Sequence, residues 1–145
     1  MPMRRPTLIH GVLALVMSCQ AASAAEVTVT VDRIHSAAGK IYVTLWGDNE
    51  NWLEEDKSLQ NVGVEAEAGK VTVTLHGVTP GRYAITTFHD ENDNGEMDFS
   101  LLGLPEEGYA FSRDVRPFLS APSFNSCAFD VGIDDTALTI HMVYP

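Results

Sequence analysis

Alternation at period two most constrains what this chain can become. In EVTVTVDRI, Val27, Val29 and Val31 alternate with Thr28, Thr30 and Asp32; in KIYVTLWG, Ile41, Val43 and Leu45 share one parity. KVTVTLHGV does the same with Val71, Val73 and Leu75, and RYAITTFHD opposes Tyr83, Ile85 and Thr87 to Ala84, Thr86 and Phe88. SCAFDVGI and ALTIHMVYP repeat the pattern near the end. Successive side chains of a strand point to opposite faces, so each run offers one face to a core and one to water. β-branched and aromatic residues suit that role, and SAAGK, EAGK, TPGR and DDTA separate the runs. No long helical period competes. The pattern predicts an all-β fold, an antiparallel Ig-like sandwich of about seven strands. One short helix is expected at NENWLEEDKS, residues 49–58, where Trp52 and Leu53 would cap the sandwich.

The first residues do not belong to that pattern. Arg4 and Arg5 precede the apolar run LIHGVLALVM, and the small residues SCQAASAA follow, which is the order of a secretory signal peptide. The run is too short for a permanent membrane anchor. Ala22-Ser23-Ala24 places cleavage after Ala24, leaving residues 25–145 as a single exported domain, periplasmic or secreted. VMSC, ending at Cys19, loosely resembles a lipoprotein box, and lipidation there would instead anchor the chain to a membrane.

Loss of Arg4 and Arg5 leaves seven basic against twenty acidic residues, so the net charge moves from −11 to −13. A surface so acidic repels nucleic acid and suits divalent cations or basic ligands. Cys127 would then be the lone cysteine, with no internal disulfide possible. It alternates with Phe129 and Val131, which predicts a buried, inert thiol.

FHDENDNGEMDF, residues 88–99, carries the strongest chemical signal. With Asp90 as position 1 of a calcium loop, Asn92 falls at 3, Asn94 at 5, Gly95 at 6, the Glu96 carbonyl at 7 and Asp98 at 9. Alternate oxygen-bearing side chains can converge on a hard cation while glycine permits the turn. Glu91 and Asp93 would point into water. Position 12 is Leu101 where an EF-hand carries its bidentate Glu, so this is no EF-hand. Glu106 or Glu107 could supply the missing carboxylate. The other reading is a hairpin in which Asn94-Gly95 makes a type I′ turn and the acids serve solubility.

An irregular stretch from 90 to 123 follows, and a loop that long in a compact domain is usually functional or disordered. Leu101, Leu102, Leu104, Tyr109, Phe111 and Phe118 favour order, because they are expected to seek burial. His89 adjoins the acidic loop, but one histidine makes no transition-metal site. His76 and His141 fall on polar strand faces, as exposed imidazoles. Glu106 and Glu107 are a weak catalytic pair, and Ser112, His89 and Asp114 lack a glycine-flanked elbow.

The string GRYAITTFHDENDNGEMDFSLLGLPEEGYAFS, followed by APSF, resembles a family of bacterial secreted proteins, domain of unknown function 2141. Its pattern is met by Pro80, Gly81, Tyr83 and Ala84; by His89, Asp90, Asn92, Asn94, Gly95 and Asp98; by Gly103, Pro105, Glu107, Gly108, Tyr109, Phe111 and Ser112; and by Pro122 and Phe124. Ala110 stands where glycine is usual. The resemblance spans about Val27 to Tyr144. It implies export and a prealbumin-like or Ig-like sandwich, with no assigned activity. It also places Glu107 in one motif with the acidic loop, as the preferred extra ligand.

The expectation is a non-enzymatic binding module in which Ca2+, held by Asp90, Asn92, Asn94, Glu96, Asp98 and Glu107, orders the loop. Tyr109, Phe111 and Phe118 would face a partner, an envelope or extracellular protein or a glycan. The alternatives are a small periplasmic hydrolase using the loop carboxylates and an envelope component without metal.

Overall fold

The computed structural model describes residues 23–145. The expected leader therefore falls almost entirely outside the described residues, with Arg4, Arg5 and Cys19. The described residues form eight strands: β1 Ala25–Ile34, β2 Lys40–Trp46, β3 Gln60–Glu65, β4 Gly69–Val78, β5 Gly81–Asp90, β6 Gly108–Phe111, β7 Phe129–Val131 and β8 Thr136–His141. They form an all-β sandwich. One sheet runs β4-β1-β8 and the other β3-β2-β5-β6, with β7 paired to the start of β5. All pairings are antiparallel except β1 with β8, where Val29 lies opposite Leu138 and Val31 opposite Ile140.

The alternating valines explain this arrangement. Val27, Val29 and Val31 are fully buried, as are Leu75 and Ile140 from the same sheet and Ile41, Val43 and Ile85 from the other. Each such side chain contributes about 1.5–3 kcal/mol of burial free energy, which fixes register because a one-residue slip would turn the whole set outward. Among the described residues no helix is long and apolar enough to cross a membrane.

Several local expectations fail. Residues 49–58 form no α-helix; turns lead to a single 3-10 turn at Glu55–Lys57. Trp52 does pack, against Trp46, Phe111 and Phe124, while its Nε1 donates to the Pro122 carbonyl at 2.8 Å. Leu53 instead stays 41% exposed. The strand expected from Ser126 starts only at Phe129, because a one-turn helix, α1, occupies Phe124–Cys127. Ser123 caps it, its side chain accepting from the Ser126 N–H.

Cys127 thus sits on α1, not on a strand, but it is fully buried. Burial pushes its thiol upward, which suits an inert role. It belongs to a second apolar cluster with Trp46, Ala84, Phe124 and Ala128, on the face of β2 and β5 opposite the main core. Ser112 ties this cluster to the sheet: its buried Oγ accepts from the Ile85 N–H at 2.9 Å and donates to the Cys127 carbonyl at 2.6 Å. Ser112→Ala would strand both buried backbone groups. Urea unfolding of the variant should show a loss of about 1–3 kcal/mol, and an unchanged midpoint would show that the serine pins nothing.

Candidate functional site

β5 delivers the acidic loop. Asp90, its last residue, is fully buried, and its carboxylate reaches forward to the loop backbone. Oδ1 accepts from the Asn94 N–H at 3.0 Å and Oδ2 from the Gly95 N–H at 2.8 Å. The turn so formed places Asp93 and Gly95 at positive φ but not Asn94. A type I′ turn needs positive φ at both central residues, and the next strand begins only at Gly108, so Asn94-Gly95 is not a hairpin turn.

The alternate side chains meet on one side of this turn. Asn92 Nδ2 donates to Asp98 Oδ2 at 2.6 Å, and Asn94 Nδ2 reaches both Asp98 oxygens at 3.1 and 3.2 Å. Asn92 Oδ1 accepts from the Asn94 N–H, and Asn94 Oδ1 from the Glu96 N–H. Glu91 and Asp93, expected to point into water, have partners instead. Glu91 Oε1 lies 2.8 Å from His35 Nε2, and Asp93 Oδ1 lies 3.0 Å from Lys40 Nζ.

Glu107 closes the loop. One carboxylate oxygen accepts from the Glu91 N–H at 3.1 Å and the other from the Asp98 N–H at 3.2 Å, bridging the two ends of the acidic segment. The neighbouring Glu106 N–H donates to the Asp98 carbonyl, while the Glu106 side chain is exposed. Glu107 itself is 6% exposed. Burial lifts its carboxyl above the usual value. The two backbone N–H groups oppose that lift, and the charges of Asp98 and Asp90 add to it.

The loop continues into a tight knot at Ser100–Leu104 and then into β6. Here burial fails to follow hydrophobicity. Leu101, Leu102, Leu104 and Phe118 were expected inside, but they are 107, 86, 61 and 85% exposed. Tyr109 and Phe111 are half-buried on β6. The reason is geometric: the knot stands off the outer face of the β3-β2-β5-β6 sheet rather than on the core.

Between that knot and the 117–121 segment lies a cleft of about 840 Å3. Thr44, Trp46, Thr86, Phe88, Tyr109 and Phe111 are among its lining residues. Glu96, Met97, Phe99 and Leu104 line it from the acidic-loop side, and Pro117 and Leu119 from the opposite loop. Of the three expected partner-facing residues, Tyr109 and Phe111 line the cleft, whereas Phe118 does not.

Residues 29–139 match the model of a family described as an uncharacterized protein conserved in bacteria, DUF2141. The chain belongs to that family. No curated protein matches it, and no solved structure does.

In this DUF2141 chain the motif residues divide by role. Gly108 is required by close packing, since a Cβ there would run into the Tyr144 ring. Ser112 is committed to two backbone groups, Asp114 accepts from the His141 backbone and lies 2.7 Å from His141 Nδ1, and His89 is held elsewhere. His141, expected as an exposed imidazole, is thus half-buried against Asp114. Sequence reasoning missed one cluster entirely: His35, His89 and Glu91 bring their donor atoms within 4.8 Å of one another. Only the strand register could have signalled it, because 56 residues separate His35 from Glu91.

The raised Glu107 carboxyl has a pH signature. Its ionisation costs more in the folded chain than in the unfolded one. The penalty is absent below the ordinary value of 4.5 and builds as pH rises through the higher folded value. In calcium-free buffer, wild-type stability should therefore fall relative to Glu107→Gln across that window. Parallel stability–pH curves would contradict this.

Proposed function

We propose that this chain is an exported, non-enzymatic binding module. Its acidic loop takes a calcium ion and, so ordered, holds one wall of the cleft against a partner. The observation that carries the reading is the placement of the loop: Glu107 ties the acidic segment at Glu91 and Asp98, and the chain between Asp98 and Glu107 supplies Phe99 and Leu104 to the cleft.

The donor set suits calcium, which takes six to eight oxygens. Asp90, Asn92, Asn94, Asp98 and the Glu96 carbonyl would hold it. The Asp90 oxygens each accept one N–H and keep a lone pair. The amide groups now facing Asp98 would rotate to present oxygen. Glu107 would either ligate or stay on its two backbone N–H groups, and in both cases the cation offsets the repulsion among Asp90, Asp98 and Glu107. Bound calcium would supply charge neutralisation and cross-link these donors, with no catalytic step.

A binding role is favoured over hydrolysis because both Glu107 oxygens are occupied by main-chain N–H groups and Glu107 does not line the cleft. The exposed apolar side chains Phe99, Leu104 and Leu119 around the cleft favour an apolar segment of an envelope or extracellular protein over a glycan. The leader-like N-terminus supports a destination where calcium is plentiful.

Thermal unfolding of the mature chain in calcium, magnesium and EDTA tests the first half. Calcium at a hundredfold excess over its dissociation constant should add about 2.7 kcal/mol, and Asp98→Asn should abolish the increment. Superimposed curves in EDTA and millimolar calcium would overturn it. For the second half, Leu104→Asp should abolish calcium-dependent capture of an envelope protein while leaving the melting curve in place. Undiminished capture would remove the cleft from the account.

A further inference from the structure

We propose a second cation site, distinct from the oxygen donors Asp90, Asn92, Asn94 and Asp98, in which His35, His89 and Glu91 hold one borderline first-row divalent ion, copper(II) or zinc(II). Two imidazoles and a carboxylate are the donor types such ions select, whereas calcium takes oxygen alone.

The geometry is close to what a bound ion needs. His35 Nε2 lies 2.8 Å from Glu91 Oε1, and His89 Nδ1 lies 3.8 Å from the same oxygen. All three donor atoms fall within 4.8 Å of one another. Ligand atoms about 2.0–2.1 Å from a tetrahedral ion are themselves about 3.3 Å apart, so modest shifts of exposed side chains suffice. His35 and Glu91 have that freedom, at 49 and 35% side-chain exposure.

His89 does not need it, because its ring is already oriented. It is fully buried, and its Nε2 lies 2.6 Å from the Ala38 carbonyl. A carbonyl only accepts, so Nε2 carries the proton and Nδ1 keeps its lone pair, 3.8 Å from Glu91 Oε1. A histidine whose far nitrogen is tied to a backbone carbonyl is the usual arrangement behind a metal ligand. The tie depends on the turn before β2, where Gly39 has φ +64° and a Cβ would overlap the Asp90 carbonyl.

Tyr144 completes the surroundings. Its hydroxyl accepts from the His35 backbone N–H at 3.3 Å and donates to His89 Nδ1 at 2.9 Å, while its ring stacks on His35 at 3.7 Å. It thus occupies the lone pair an incoming ion would take. On binding, the hydroxyl turns aside or becomes a further oxygen ligand, and the open side of the site faces solvent past His35 and Glu91.

The test is titration of the mature chain with copper(II) or zinc(II) alone, with copper followed by electron paramagnetic resonance. One ion per chain is expected, with hyperfine structure from two imidazole nitrogens. His35→Gln and Glu91→Gln should each weaken binding at least tenfold; His35 is exposed and Glu91 half-buried, outside the apolar core, so both changes are compatible with folding. His141→Gln and Asp98→Asn should leave it unchanged, which separates this site from the His141–Asp114 pair and from the acidic loop. Absence of a stoichiometric ion, or binding untouched by His35→Gln and Glu91→Gln, would overturn the proposal.

Discussion

The Glu107 carboxylate is the constraint on which the acidic-loop end of this sandwich depends. A single buried anion accepts one N–H from Glu91, just after β5, and one from Asp98, at the far side of the acidic turn. Charge-assisted bonds to backbone N–H groups are stronger than neutral ones, and here two of them span a loop whose own side chains are mostly exposed. Without that anion the segment from 91 to 106 would keep its ties to Asp90 and Lys40 but lose the bridge between its two ends. With it, the acidic loop, the apolar knot and β6 become one body.

That body explains why hydrophobic residues stand in water. The main core is filled by the inward faces of two sheets and needs nothing from the loop. The outer face of the β3-β2-β5-β6 sheet carries its own aromatic cluster around Trp46 and Phe124, and the knot leans over what remains. The result is a cleft rather than a layer. Glu91 joins this arrangement to the histidine pair: its N–H goes to Glu107, and its carboxylate meets His35. Two polar clusters therefore flank the end of β5, one of oxygens and one mixed with imidazole.

How much of this the sequence discloses depends on the range of the physics involved. β1, β2, β4, β5 and β8 were legible because period-two burial is written in adjacent residues. β3 was not, since Val62 and Val64 are only partly buried and Gly63 interrupts them to lie over the Tyr42 ring. β6 hid inside what read as irregular loop, with just four residues. Around Cys127 the alternation was misleading, because a serine cap converted the start of an apparent strand into a helical turn. The acidic turn was legible because its spacing is local, whereas Glu107 was tied to it only through the family pattern, as a cation ligand rather than as the acceptor of two backbone N–H groups. His35 did not, since only the folded register brings the end of β1 beside the end of β5.

Amide hydrogen exchange at Glu91 and Asp98 measures the clamp most directly. Both N–H groups should be protected in the wild-type chain and should exchange faster together in Glu107→Gln, while the core amides of β1 and β2 keep their rates. Rates at Glu91 and Asp98 that are already fast in the wild type, or that do not respond to Glu107→Gln, would contradict the account.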